Sequence, residues 1–112
     1  MRNAYPREVE IYRSRNGREP FTEWLNAIRD QKTQRRIRTR LAALKLGNFG
    51  DYKSVGEGVF ELRFHFGVGY RVYFREVGNT VVFLLCGGDK SSQARHIERA
   101  KAYWLAYKET HL

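Results

Sequence analysis

Two short segments carry the side chains that can do chemistry. In "VFELRFHF" (59–66), Phe60, Leu62, Phe64 and Phe66 fall on one face of an extended chain, and Glu61, Arg63 and His65 on the other. In "YRVYFRE" (70–76), Tyr70, Val72 and Phe74 alternate with Arg71, Tyr73 and Arg75. The apolar sets require a core, so the polar sets are expected together on the opposite side of one sheet. A third segment, "LLCGGDKSSQARHIERA" (84–100), turns from a strand into a helix and can bring Lys90 to that side. The expectation is a cationic concavity built from Arg63, His65, Arg71, Arg75 and Lys90, with Glu61 and Tyr73 in it. Clustered cations repel one another at a cost in stability, and proteins keep them mostly where an anion fills the gap. The ordinary alternative is a solvated strand face balanced by Glu61 and Glu76.

The 84–100 segment is not a triphosphate-binding loop. Gly-x-x-x-x-Gly-Lys-[Ser/Thr] needs a glycine directly before the lysine, and Asp89 stands there. Gly-x-Gly-x-x-Gly does not fit either. The three histidines, at 65, 96 and 111, join no His/Asp/Glu cluster with metal spacing. Ser91 and Ser92 lack a local base and read as helix N-caps rather than nucleophiles, with Asp89 favouring the same helix end electrostatically. Cys86 reads as a buried strand residue, and Trp24 and Trp104 as core anchors.

The chain that must position these residues has 112 residues, which predicts one domain over 1–112. Its 42% hydrophobic and 14% aromatic content can fill a core and excludes a disordered class. No apolar run approaches the roughly 18 residues of a membrane span. The start, "MRNAYPREVEIYRSRNG", has no apolar stretch of the signal-peptide kind. A cytoplasmic protein with no membrane association is expected. The single cysteine excludes an internal disulfide and a cysteine zinc site. The net charge is +9, and 15 of the 21 cations are arginine. Arginine forks onto phosphates and stacks on bases, which points to nucleic acid or else to an acidic partner protein.

Alternation in "REVEIYR" (7–13) predicts a short strand, closed by a turn at 14–17. Pro20 with Phe21, Trp24, Leu25 and Ile28 predicts a helix at about 20–30. Thr33 can cap a second helix with Ile37, Leu41 and Leu44 on its stripe, ended by Gly47. Residues 29–45 carry seven cations against one anion, either a solvated face or a surface for RNA. "FGDYKSVGEG" (49–58) reads as a glycine-rich loop. Tight turns at 67–69 and 77–79 separate the strands at 59–66, 70–76 and 80–86, the last apolar on both faces and therefore central. A last helix spans about 91–108. The order β-α-α-β-β-β-α predicts an α+β fold: a mostly antiparallel four-stranded sheet, a helical hairpin on one face and a C-terminal helix.

"FELRFHFGVGYRVYF" followed by "VVFLLCGGDKSSQARHIERAKAYW" resembles the RelE/ParE superfamily of toxins from type II toxin–antitoxin systems, nearest the HigB-like, phage Gp49-like addiction module killer proteins. The resemblance covers most of the chain. It implies a RelE-like fold and a toxin that cleaves mRNA on the ribosome. It implies a cognate helix-turn-helix antitoxin in a hetero-oligomeric complex. Gly69-Tyr70-Arg71 matches the segment whose arginine contacts the scissile phosphate, and Lys90 matches a basic residue after the last strand. Glu61 and Arg63 stand where RelE carries two lysines, and a RelE tyrosine aligns near His96 or Ile97.

The implied reaction is attack of a ribose 2′-hydroxyl on the adjacent phosphate, with no metal or other cofactor. Arg71 would brace the phosphate oxygens, supported by Arg63 and Lys90. Glu61 or His65 would take the 2′ proton, and His96 or Lys90 would serve the leaving group. Lys53, Tyr73, Arg75, Arg35 and Arg36 are the expected RNA contacts, Tyr73 through stacking on a base or by orienting an arginine. Two rivals share the fold. One is a ParE-like toxin that inhibits DNA gyrase without cutting RNA, and the other is a non-toxic phage-type module binding RNA or protein.

Overall fold

The computed structural model describes residues 7–78 and 81–111. In chain order they form β1 (Glu8–Ile11), α1 (Pro20–Ala27), α2 (Gln31–Leu44), β2 (Tyr52–Gly56), β3 (Val59–Arg63), β4 (Arg71–Val77), β5 (Val81–Gly88), a 3-10 turn (Lys90–Ser92) and α3 (Gln93–His111). One sheet has the order β1-β5-β4-β3-β2. Strands β2 to β5 are an antiparallel meander, and β1 lies parallel to β5. The α+β class and the C-terminal helix match the reading of the sequence.

The sheet has five strands, not four. The extra one, β2, lies inside the 49–58 segment expected to be a loop. Its glycines lower strand propensity, but an edge strand needs only one neighbour, and Tyr52, Lys53 and Ser54 pair with Leu62, Glu61 and Phe60. The Tyr52 ring then packs against Phe49, Phe60 and Phe74. Asn79 and Thr80, placed in the expected turn and strand start, lie outside the described residues.

The helix ends differ in their caps. Asp30, not Thr33, caps α2: its carboxylate accepts from the Lys32 N–H at 3.1 Å and the Thr33 hydroxyl at 2.9 Å. Asp89 does the same at the turn before α3. One of its oxygens accepts from the Ser92 N–H and from both serine hydroxyls. Ser91 and Ser92 therefore donate to the cap rather than being it. The three donors hold the Asp89 carboxyl below its ordinary pKa.

Two apolar layers flank the sheet. Phe21 and Leu25 of α1 and Ile37, Leu41 and Leu44 of α2 cover Leu62, Phe64, Val72 and Phe74. Ala100 and Trp104 of α3 cover Val59, Tyr73, Phe83, Leu85 and Cys86 on the other face. Removing each large side chain from water contributes roughly 1.5–3 kcal/mol. Strand β5 touches both layers, as its continuous apolar run requires. No helix among the described residues is long and apolar enough to cross a membrane.

Candidate functional site

β3 ends and β4 begins on arginine, and the register places Arg63 opposite Arg71. Opposed residues on adjacent strands share a face with Cβ atoms about 5 Å apart, and like charges there repel. Each arginine has acquired a carboxylate. The Arg63 Nη2 donates to Asp51 Oδ1 at 3.0 Å. Arg71 Nε lies 3.8 Å from Glu61 Oε1, an ion pair too long for a hydrogen bond. The Nε atoms of both arginines are buried without a hydrogen-bond partner. Asp51 is also bonded by His65 Nε2. His65 first, and Arg63 second, hold the Asp51 carboxyl below its ordinary pKa. Asp51 went unmarked in the sequence, because an acid in a glycine-rich stretch carries no signal.

The turn between β3 and β4 folds against the turn that follows β5. The Lys90 N–H donates to the Val68 carbonyl at 3.4 Å. The segment 64–69, Arg71 and Lys90 line an open hollow of about 420 Å³. Three of the expected residues therefore meet there: His65, Arg71 and Lys90, with Arg63 one strand behind. Among the described residues no carboxylate lines the hollow. Such an arrangement favours an anion, with a buried guanidinium at its floor and an exposed ammonium at its rim.

Glu61 and Tyr73 are not in that hollow, and this corrects the expected concavity. Both have no exposed surface. The Tyr73 hydroxyl donates to Glu61 Oε2 at 3.0 Å, and Gln93 Nε2 of α3 donates to the same oxygen at 2.7 Å. Burial first, and the adjacent carboxylate second, push the Tyr73 phenol above its ordinary pKa. Tyr73 cannot stack on a base in this conformation. Arg75 is likewise engaged. Its Nη1 donates to the Glu57 carbonyl at 2.7 Å, and its guanidinium lies 4.3 Å over the Trp104 ring. The physical reason is α3, which docks across the middle of this face. Lys53 is exposed on the edge strand β2, opposite Glu61 in register.

His96 faces elsewhere. A Cβ on Gly88 would sit 2.5 Å from His96 Nδ1, and one on Gly87 would sit 2.2 Å from the Trp24 ring. The two glycines thus serve close approach, one on each face of β5. Gly88 pairs with Arg71, so His96 stands one strand away from that arginine. Its Nδ1 donates to the Ser92 carbonyl at 2.9 Å, which leaves Nε2 free of that bond. It lines a separate crevice of about 510 Å³ with Trp24, Cys86 and Arg99. Burial pushes the Cys86 thiol up to about 12, as befits an inert strand residue.

Arg35 and Arg36 lie on α2, along a groove of about 840 Å³ that Lys32, Thr39, Arg40 and residues 64–66 complete. Arg36 lies 3.8 Å over the Phe66 ring. Arg40, which the sequence did not single out, is structural. It donates to the carbonyls of Arg63, Phe49 and Asp51, and burial pulls its pKa down.

No family model matches the chain. A protein of Haemophilus influenzae (strain ATCC 51907 / DSM 11121 / KW20 / Rd), named only as an uncharacterized protein, is 47% identical over 81 residues. That match covers 72% of this chain and 82% of the relative. The chain belongs to the family of that protein.

Proposed function

We propose that the protein is an RNA-cleaving toxin of a type II toxin–antitoxin system, of the RelE/ParE kind that its strand and turn motifs resemble. The observation that carries this reading is the Arg63–Arg71 pair, opposed across two strands, beside a carboxylate-free hollow rimmed by Lys90 and His65. Asp51 and Glu61 each offset one of these arginines, and a phosphate seated between Arg71 and Lys90 would add a charge-assisted partner on the open side.

In this mechanism Arg71 grips the non-bridging oxygens of an RNA phosphate, with Arg63 adding to the field from behind. The ribose 2′-oxygen attacks phosphorus and the P–O5′ bond breaks. The products are a 2′,3′-cyclic phosphate and a 5′-hydroxyl. His65 suits the base: Asp51 accepts its Nε2–H, which leaves Nδ1 to take the 2′ proton. Lys90 suits the acid that protonates the departing 5′-oxygen. Glu61 is set aside as base because it is buried, and His96 as acid because it faces the other crevice. The loose, open hollow fits an enzyme that borrows alignment of its substrate from the ribosome. A cognate helix-turn-helix antitoxin would mask the basic surface, and charge complementarity would speed that encounter.

The test is mapping of transcript 5′ ends after brief induction. New 5′-hydroxyl ends within translated codons are expected. Intact transcripts with DNA damage would move the protein to the gyrase-inhibiting reading instead, and neither effect would leave a binding module.

A further inference from the structure

The hollow at Arg71 and the α2 groove adjoin. Phe64, His65 and Phe66 line both and are the wall they share. We infer that the α2 groove is a track for single-stranded RNA, seating unpaired nucleotides that flank the phosphate at Arg71. The placement of the cleaved phosphate rests on the function proposed above. The affinity of the track for a single strand does not.

Three observations carry the inference. First, Lys32, Arg35, Arg36 and Thr39 follow the helical spacing of one stripe, about 10 Å long. Among the described residues no acidic side chain lines the groove or the hollow, and Asp51, beside His65, is engaged by His65 and Arg63. A negatively charged chain can run the length of both. Second, the stripe includes a stacking shelf. The Arg36 guanidinium lies 3.8 Å over Phe66 while its residue stays exposed, so its outer plane is available to a base. Bases stack on guanidinium planes and aromatic rings without regard to sequence, and only unpaired bases can do so. Third, Arg40 is spoken for by three carbonyls and cannot swing outward. The groove floor and the Arg36 shelf are therefore fixed, while Lys32 and Arg35 stand exposed along the rim, where they can meet successive phosphates. An acidic protein segment would satisfy the charge but has no use for the shelf.

The experiment is fluorescence anisotropy with a labelled eight-nucleotide 2′-O-methyl RNA, which cannot be cleaved because its attacking hydroxyl is blocked. The same strand annealed to its complement and a poly-glutamate peptide of equal charge serve as competitors. The single strand is expected to bind at least about tenfold tighter than either. The double variant Arg35→Ala/Arg36→Ala should weaken binding about tenfold or more and reduce the salt slope by about 1.4, near 0.7 for each lost phosphate contact. Phe66→Leu, at a matched thermal midpoint, should weaken binding several-fold with the slope unchanged. Arg71→Lys should keep the preference for single strands even where it removes cleavage. Equal binding of duplex, equal competition by poly-glutamate, or indifference to the double variant would each overturn the track. Failure of cleavage with the preference intact would instead count against the proposed function alone.

Discussion

Arg71 faces Arg63 across the β3–β4 ladder, and neither Nε has a hydrogen-bond partner. Of the two, Arg71 is the more constrained: its side chain is 10% exposed and its companion Glu61 not at all. Truncating Arg71 would strand a buried carboxylate, so Arg71→Ala confounds activity with stability. Arg71→Lys keeps the charge and loses the fork. It should reduce RNA cleavage by about a hundredfold or more, with a thermal midpoint within a few degrees of the parent. Full toxicity from a folded Arg71→Lys protein would remove Arg71 from the phosphate.

The two proton-transfer candidates separate cleanly by position. Lys90 borders the hollow, and His96 borders the crevice beyond Gly88. Lys90→Met should lower single-turnover cleavage on programmed ribosomes by about 10²-fold or more. His96→Asn should stay within about tenfold. The reverse order would assign the leaving-group proton to His96.

Tyr73 is a strut for Glu61. Tyr73→Phe keeps the ring and deletes one donor to a buried carboxylate, at a cost of about 1–3 kcal/mol. The thermal midpoint should fall by several degrees, while cleavage per folded molecule changes less than about threefold. A large loss of cleavage at unchanged stability would mean that α3 moves and that Tyr73 meets RNA.

The alternation at 59–66 and 70–76 made the strands, their shared polar face and the Arg63–Arg71–Lys90 grouping legible, because a period of two assigns faces without knowledge of the fold. The cover over that face was not legible. Val59, Phe83 and Leu85 add an apolar patch to it, yet within their own strands they read as part of continuous hydrophobic runs. Only the docking of α3 reveals that Glu61 and Tyr73 are inside. The β1–β5 pairing was hidden for a related reason: it joins residues some 70 positions apart, and parallel pairing leaves no local turn signal. Gly87 and Gly88 looked like loop residues, but both are in β5 and make room for Trp24 and His96.

Asp51 ties Arg63 and His65 together, and its effect has a defined pH window. Its folded pKa lies below the unfolded value, so its stabilisation is complete above about pH 4. It is lost as pH falls through the folded pKa, when the carboxyl takes up a proton in both states. Asp51→Asn should therefore be less stable than the parent at pH 7, and the gap should close below about pH 4. Urea midpoints of both proteins between pH 7 and 2.5 measure this. A gap that stays constant to the lowest pH would assign the loss to packing rather than to charge.

The paired glycines allow a final test that distinguishes fold from site on adjacent residues. Gly87→Ala drives a methyl to 2.2 Å from the Trp24 ring, which is packed between Gly87, Phe21 and Tyr70. Overpacking of this kind costs about 1–3 kcal/mol, so the variant should lose several degrees of thermal midpoint and retain its specific cleavage. Gly88→Ala meets the imidazole of His96 at 2.5 Å, at the rim of a crevice into which the ring can rotate. The escape of that ring breaks its bond to the Ser92 carbonyl and loosens the 3-10 turn that carries Lys90. Gly88→Ala should thus lose less stability than Gly87→Ala and more cleavage, through a displaced Lys90. Proton NMR of the His96 Nδ1–H, protected in the parent and exchanging in Gly88→Ala, reports the displacement independently of RNA. A Gly88→Ala protein with that signal intact, or with cleavage unchanged after its loss, would break the link between this glycine and the position of Lys90.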